Sequence, residues 1–338
     1  MDLKLMEQIF NIASPTGYTM NVINFLDEYL KKLGYQTTRN KKGNLIVDVK
    51  GKSDYVIGLS AHTDTLGLMV RSIRADGNLN FTNVGGILTP TLDGEYCTIF
   101  TRDGKKYTGT ILSTVPSVHV YPNAATAPRD NNNMYIRIDE NVKTASDTMK
   151  LGIDNGDYIA VDPKFVATPS GYIKTRFLDD KASVFILLEL LKKLKNENIV
   201  LPNTLKIIFT TYEEVGHGCS SIPYVDELLA IDMGCIGLDL KCTEKQVSIC
   251  AKDSTGPYDY GMVTKLVNLA KENKIDYAVD IYPMYGSDAS AALHAGNDIK
   301  AALIGSGIHA SHGMERTHID GLKNTLNLVY AYVTSEIK

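Results

Sequence analysis

Residues 3–33 carry two series of apolar side chains at helical spacing, and Gly34 follows the second series. Apolar residues that recur every three or four positions predict amphipathic helices, and glycine commonly ends a helix. Short runs rich in β-branched residues follow at 44–50 and 55–64, and the second run is apolar enough for a buried strand. The sequence therefore begins as two helices followed by strands of an α/β sheet.

Between residues 67 and 173 the pattern changes to short β-branched runs separated by turns rich in glycine, aspartate and asparagine. This pattern predicts a separate small β-barrel or sandwich without helices. Helices and strands alternate again after residue 176, and we expect helices at 179–195, 259–274 and 321–337 and strands at 204–214, 235–240 and 301–306. The predicted organisation is an α/β domain of residues 1–66 and 174–338, interrupted by a β insert of residues 67–173.

The composition is that of an ordinary folded protein, with 44% hydrophobic and 22% charged residues. A formal net charge of -4 gives no basic excess, so we expect no nucleic-acid partner. No apolar run reaches the roughly 20 residues of a membrane span, and the first residues lack the pattern of a signal peptide. The five cysteines form no CxxC pair, which favours a reducing compartment. We expect a cytoplasmic protein without a membrane partner.

Two candidate sites lie where predicted strands end. His62 and Asp64 are two residues apart, so on a strand they would share one face, and Asp64 could support a metal-bound imidazole. A histidine beside an unrelated loop aspartate is the alternative. Asp179 and Asp180 begin the predicted helix at 179–195, where helix capping is the alternative to a functional role.

Carboxylates also follow two apolar runs later in the chain. The strand at 204–214 runs into Glu213 and Glu214, which are costly to bury unless a cation neutralises them. Asp239 lies near the end of the run at 235–240, and Asp232 is a competitor that looks less buried. In open α/β sheets, ligands bind outside the carboxyl ends of the strands.

Three of the seven histidines, His309, His312 and His318, lie in one segment after the strand at 301–306. Taken with the carboxylates, they predict a dispersed set of imidazole and oxygen ligands without thiolates, which suits zinc, cobalt or manganese. A pair of such ions can share a carboxylate and activate a water, and the extra glutamate of the 213–214 pair is then a natural general base.

The order of these motifs resembles the glutamyl-aminopeptidase and tetrahedral-aminopeptidase family of co-catalytic metallopeptidases, over nearly the whole chain. AHTDTLG at 61–67, the acidic pairs at 179–180 and 213–214, and ASHGMER at 310–316 carry the resemblance. It implies a zinc-peptidase-like α/β/α catalytic domain with mixed sheet, an inserted β-barrel that serves dimerisation, and large homo-oligomers. It also implies two divalent ions per subunit, with zinc preferred over cobalt or manganese.

The resemblance also implies a role for each candidate residue. The metal ligands would be His62, Asp179 as the bridging carboxylate, Glu214, Asp239 and His312, with His309 as a rival for the last position. Glu213 would be the general base, and Asp64 would support the catalytic site. YGSDAS at 285–290 is similar to the family's GTDA element, so Asp288 is a candidate to bind the free ammonium of a substrate, with a turn aspartate as the alternative.

The expected function is hydrolysis of the N-terminal residue of peptides by a metal-bridging water. A metal-dependent deacylase could use the same site, and a requirement for a free α-amino group separates the two. Because some relatives carry an endoglucanase label, a glycosidase that uses Glu213 and Glu214 without metals is a further alternative, and chelation tests it. The remaining alternative is an assembly subunit without enzymatic activity.

Overall fold

A computed structural model describes residues 1–336 of the 338-residue chain. The chain divides into two compact units, one formed by Met1–Asp64 together with the chain from Lys164 onward and the other by Thr65–Pro163. Within the described residues no helix combines the length and the hydropathy that crossing a bilayer requires.

The α-helices in chain order are α1 (Leu3–Asn11), α2 (Met20–Lys32), α3 (Ala145–Lys150), α4 (Leu178–Asn196), α5 (Tyr260–Glu272), α6 (Asp288–His294) and α7 (Ile319–Thr334). The strands in chain order are β1 (Thr37–Arg39), β2 (Leu45–Val49), β3 (Ser53–His62), β4 (Gly67–Ile73), β5 (Leu79–Val84), β6 (Tyr96–Phe100), β7 (Lys106–Ser113), β8 (Met134–Ile138), β9 (Tyr158–Val161), β10 (Val166–Ala167), β11 (Tyr172–Thr175), β12 (Asn203–Thr210), β13 (Glu227–Cys235), β14 (Val247–Lys252), β15 (Tyr277–Ile281), β16 (Lys300–Ile308) and β17 (Glu315–His318).

The first unit is built on an eight-stranded sheet of order β1-β2-β12-β3-β13-β16-β14-β15. β3 pairs in parallel with both β12 and β13, whereas β2 and β14 pair antiparallel with β12 and β16. Apolar side chains of α1, α2, α4, α5 and α7 share one core with this sheet, and α6 packs against a different cluster of sheet residues. The predicted α/β fold with a mixed sheet covered by helices is confirmed.

The second unit is a closed barrel of order β4-β5-β8-β7-β6-β9. Closure leaves no unpaired sheet edge, which explains how so many short strands form a stable unit. The predicted β-barrel is therefore confirmed, although the expectation of no helix in this segment is wrong for the six residues of α3. That short helix begins with a capping box formed by Thr144 and Asp147.

The predicted insert of residues 67–173 extends too far at its C-terminal end. β10 pairs with β11, and β11 pairs with β17, so the chain from Lys164 onward belongs to the first unit. β11 and β17 are far apart in sequence. The sequence around β10 and β11 therefore gives no sign that these two strands belong to a different sheet from the strands of the barrel.

The predicted strand at 235–240 is wrong. The strand is β13, which lies between β3 and β16 and is buried along almost its whole length. Asp239 follows it in an exposed turn and has a positive φ of 63°. Asp232 lies inside the apolar run of β13. Because a charged residue interrupts the apolar pattern there, the sequence does not predict this strand.

Candidate metal centre

His62 ends β3 with its imidazole buried. Its Nδ1 atom lies 2.9 Å from the backbone carbonyl oxygen of Asp64. A carbonyl oxygen can only accept a hydrogen bond, so Nδ1 carries the proton and Nε2 is the nitrogen left to bind a cation. Nε2 lies 3.0 Å from Oδ1 of Asp179 and 3.9 Å from Oδ1 of Asp232.

Asp179 stands at the centre of the cluster, in the non-helical first turn of α4. Its Oδ1 atom faces Nε2 of His62 at 3.0 Å, and its Oδ2 atom faces Nε2 of His312 at 3.5 Å. Burial alone would raise the pKa of this carboxyl, but hydrogen bonds with His312 and His62 hold it well below its usual range. The two oxygens of this one carboxylate therefore face two different imidazoles.

Further carboxylates surround this pair of histidines. One ligand atom from each of His62, Asp179 and Glu214 lies within 4.8 Å of the others, and the same holds for His62, Asp180 and Asp232. Nε2 of His312 lies 3.8 Å from Oε2 of Glu214. Seen from Asp179, Asp232 is on the His62 side and Glu214 is close to both histidines.

The carboxylates repel one another in this buried position. Burial and then the charge of neighbouring carboxylates raise the pKa of Glu214 and Asp180 well above their usual range, and burial with the charge of Asp179 raises the pKa of Asp232 to about 7. Oε1 of Glu214 and Oδ1 of Asp180 are buried without a hydrogen-bond partner. Such oxygens are costly unless a cation neutralises them, so the site fits divalent metal ions.

Glu213 lies beside the same imidazole, with its Oε2 atom 3.7 Å from Nε2 of His62. Burial first, and then the charges of Asp232 and Asp288, raise the pKa of Glu213 well above its usual range. A carboxylate whose pKa is raised is a stronger proton acceptor, which is the property that a general base needs.

Asp64 is fully buried and acts differently from the expectation. Its carboxylate lies 3.8 Å from Nδ1 of His62, and the backbone carbonyl of Asp64 orients the imidazole instead. The carboxylate accepts hydrogen bonds from the backbone N–H groups of Glu213 and Glu214, at 3.2 and 3.3 Å, and from the hydroxyl of Thr16 at 2.7 Å. Asp64 therefore positions the glutamate pair.

The structure does not bring every predicted residue to the cluster. Asp239 was expected to be a metal ligand, but it is exposed. Asp232 lies in the cluster in its place, because β13 ends at Cys235. His312 lies beside Asp179 and Glu214, whereas His309 is exposed and its backbone bridges to Arg316.

Asp288 does not lie in a position to bind an ammonium group. Its side chain is buried and accepts hydrogen bonds from the hydroxyl of Thr210 and, at 2.7 Å, from the backbone N–H of Cys219. A Cβ atom added to Gly218 would lie 2.2 Å from Oδ1 of Asp288, so this contact is tightly packed. The carboxylate fixes the segment after the glutamate pair, and the expectation of substrate binding is corrected.

Sequence reasoning missed Glu315. Its buried carboxylate accepts hydrogen bonds from the backbone N–H groups of Asp179, at 3.1 Å, and His312, at 3.0 Å. Burial, followed by the charge of Asp179, raises the pKa of Glu315 to about 8. The one signal in the sequence is its position three residues after His312, in the segment that carries the resemblance.

Known proteins resemble this chain, and some of them match nearly all of its length. A family model described as M42 glutamyl aminopeptidase matches residues 43–328. YhfE of Bacillus subtilis, a candidate aminopeptidase by name, is 48% identical over 98% of this chain and 97% of its own. A glutamyl aminopeptidase of Lactococcus lactis is 29% identical over 61% of this chain and 58% of its own. The structure of a TET protein described as a dodecamer matches with a TM-score of 0.87 and 25% identity, over 99% of this chain and 100% of that one.

Proposed function

This chain belongs to the M42 glutamyl aminopeptidase family and is a metal-dependent aminopeptidase, and we propose that it cleaves N-terminal residues at two cation sites that share Asp179. One ion would be held by His62, Asp179 and Asp232, and the other by Asp179, Glu214 and His312. The observation that carries this proposal is that the two oxygens of Asp179 face different histidines, at 3.0 and 3.5 Å. Zinc is the expected ion, with cobalt or manganese as alternatives, because imidazole and carboxylate ligands suit all three.

Glu213 is the proposed general base. Divalent ions in this centre would polarise the carbonyl oxygen of the scissile peptide bond and make a water molecule more acidic. Glu213 takes one proton from the attacking water, whose oxygen forms a bond to the carbonyl carbon. The carbon–nitrogen bond then breaks, and the proton passes from Glu213 to the leaving amine. The raised pKa of Glu213 supports this transfer in both directions.

A matched pair of substitutions in neighbouring residues tests these roles. We expect Glu213→Gln to lower kcat at least about 100-fold, because it removes the proton acceptor, while both ions remain bound. Glu214→Gln should lose metal, because it removes a ligand. Activity against leucine p-nitroanilide and metal content by mass spectrometry separate the two outcomes. Retained activity in Glu213→Gln, or metal loss equal to that of Glu214→Gln, would refute the assignment.

We also propose that the chain works as a homo-oligomer, with the barrel of Thr65–Pro163 as a dimerisation element. The dodecamer of the TET relative supports this. Val118 and Val120 are 71% and 68% exposed on this unit, and exposed apolar side chains often mark contact surfaces. Light scattering should give a multiple of the 37.1 kDa chain mass, and a monomer at all concentrations would contradict the proposal.

A further inference from the structure

The metal centre opens into a pocket of about 1200 Å³. Asp179, Glu213, Asp232 and His312 line one part of it, and the rest extends along β15 and the loops that follow β13 and β15. This volume exceeds that of a typical small-ligand pocket, roughly 300–1,000 Å³, so it can hold more than one residue of a peptide. The part away from the carboxylates is therefore available to a substrate side chain.

That part of the pocket is lined mainly by aliphatic and thioether side chains. They are Leu238, Leu240, Val279, Ile281 and Met284. Val279 and Ile281 are two residues apart on β15, so they share one face of the strand. Leu238 and Met284 are 97% and 95% exposed at the pocket. Large apolar side chains exposed together in this way commonly mark a binding surface.

Charged groups in this region do not favour a charged ligand. Asp280 also borders the pocket, but its oxygens accept hydrogen bonds from the backbone N–H groups of Lys241, at 2.8 Å, and Cys242, at 3.1 Å. Asp239 and Lys241 carry opposite charges, and both are exposed. The lining thus offers apolar contact, and the oxygens of its buried acid, Asp280, are already occupied by backbone N–H donors.

Resting on the proposed aminopeptidase function, we infer that this pocket binds the side chain of the N-terminal residue and selects apolar residues such as leucine, methionine and phenylalanine. An apolar side chain gains from leaving water, whereas an acidic or basic one loses hydration against the apolar lining. The selectivity therefore differs from the glutamyl specificity in the name of the Lactococcus lactis relative.

The metal-loaded enzyme and a series of aminoacyl p-nitroanilides test this inference. We expect kcat/KM for leucine and phenylalanine to exceed that for alanine about tenfold, and that for glutamate and lysine at least about 100-fold. A glutamyl or lysyl substrate that is cleaved best would overturn the inference and leave the proposed function intact. Failure to cleave any substrate with both ions bound would instead reject the proposed function.

The introduction of a positive or a negative charge at Ile281 tests whether this pocket binds the substrate side chain. Ile281 is 55% exposed, so a charged side chain there should not prevent folding. Ile281→Arg should raise kcat/KM for the glutamyl substrate about tenfold over wild type, and Ile281→Glu should do the same for the lysyl substrate. Val200→Arg, an apolar position 66% exposed and outside the pocket, is the control. If both Ile281 variants have the same substrate selectivity as Val200→Arg, this surface does not contact the substrate side chain.

Discussion

His62 is oriented by the backbone carbonyl of Asp64, at 2.9 Å, while the carboxylate of Asp64 is bonded elsewhere. The sequence spacing predicted support from the carboxylate, but that group holds the backbone of Glu213 and Glu214. A single buried aspartate thus fixes the imidazole through its main chain and the glutamate pair through its side chain. This division of roles makes the two functions separable by mutation.

We expect Asp64→Asn to lower kcat about 10- to 100-fold while both ions remain bound, because the glutamates lose their anchor and His62 keeps its carbonyl partner. An amide nitrogen would face at least one backbone N–H donor in this variant. Kinetics and metal content measured on the same preparation check this. Asp54→Asn, an exposed position on the same strand, is the control. Loss of metal in Asp64→Asn would contradict the separation of these two roles.

Asp232 and Asp239 provide a second matched comparison. We expect Asp232→Asn to lower the metal content and kcat/KM strongly, because it removes the negative charge of a buried carboxylate whose Oδ1 atom lies 3.9 Å from Nε2 of His62. Asp239→Asn, at an exposed position of the same pocket, should keep both ions. Metal analysis after dialysis against a weak chelator measures the difference. The opposite pattern would restore Asp239 as the ligand.

Asp288→Asn should destabilise the fold and leave substrate binding unchanged. The carboxylate accepts hydrogen bonds from Thr210 and Cys219, and their disruption should lower the free energy of unfolding by about 1–3 kcal/mol. Urea unfolding gives the stability, and KM for leucine p-nitroanilide gives the binding. Normal stability together with a large rise in KM would indicate that Asp288 binds the substrate ammonium.

Asp253 should make the stability depend on acid pH. Burial alone would raise its pKa, but hydrogen bonds from Ser290, Thr255 and Tyr258 lower it below its usual range. Because the pKa is lowered by folding, the Asp253 carboxylate contributes to the free energy of unfolding above its pKa in the unfolded chain, about 3.9. This contribution is lost as the pH falls through the pKa of the folded protein. We therefore expect Asp253→Asn to be less stable than wild type at pH 7, with a difference that shrinks toward pH 3. Urea unfolding at both pH values measures this, and a difference that grows on acidification would contradict it.

Much of the fold was predictable because its helices and strands have clear periodicity. The helix at 179–195 and the strand at 204–214 correspond to α4 and β12, and the acidic residues at their ends meet in the cluster. Asp232 was ranked behind Asp239 because it interrupts an apolar run, and only the meeting of β3, α4 and β13 shows that it lies beside His62. Asp288 was misassigned because its partners Thr210 and Cys219 are 78 and 69 positions away in the chain.

Metal titration of the apo-protein tests the central claim most directly. The protein is stripped by chelation and titrated with zinc, while cleavage of leucine p-nitroanilide and its N-acetylated form is followed. We predict two ions bound per 37.1 kDa chain, recovery of cleavage as they bind, and no cleavage of the acetylated substrate. Full activity in metal-free protein, or cleavage of the acetylated substrate alone, would contradict a two-metal aminopeptidase.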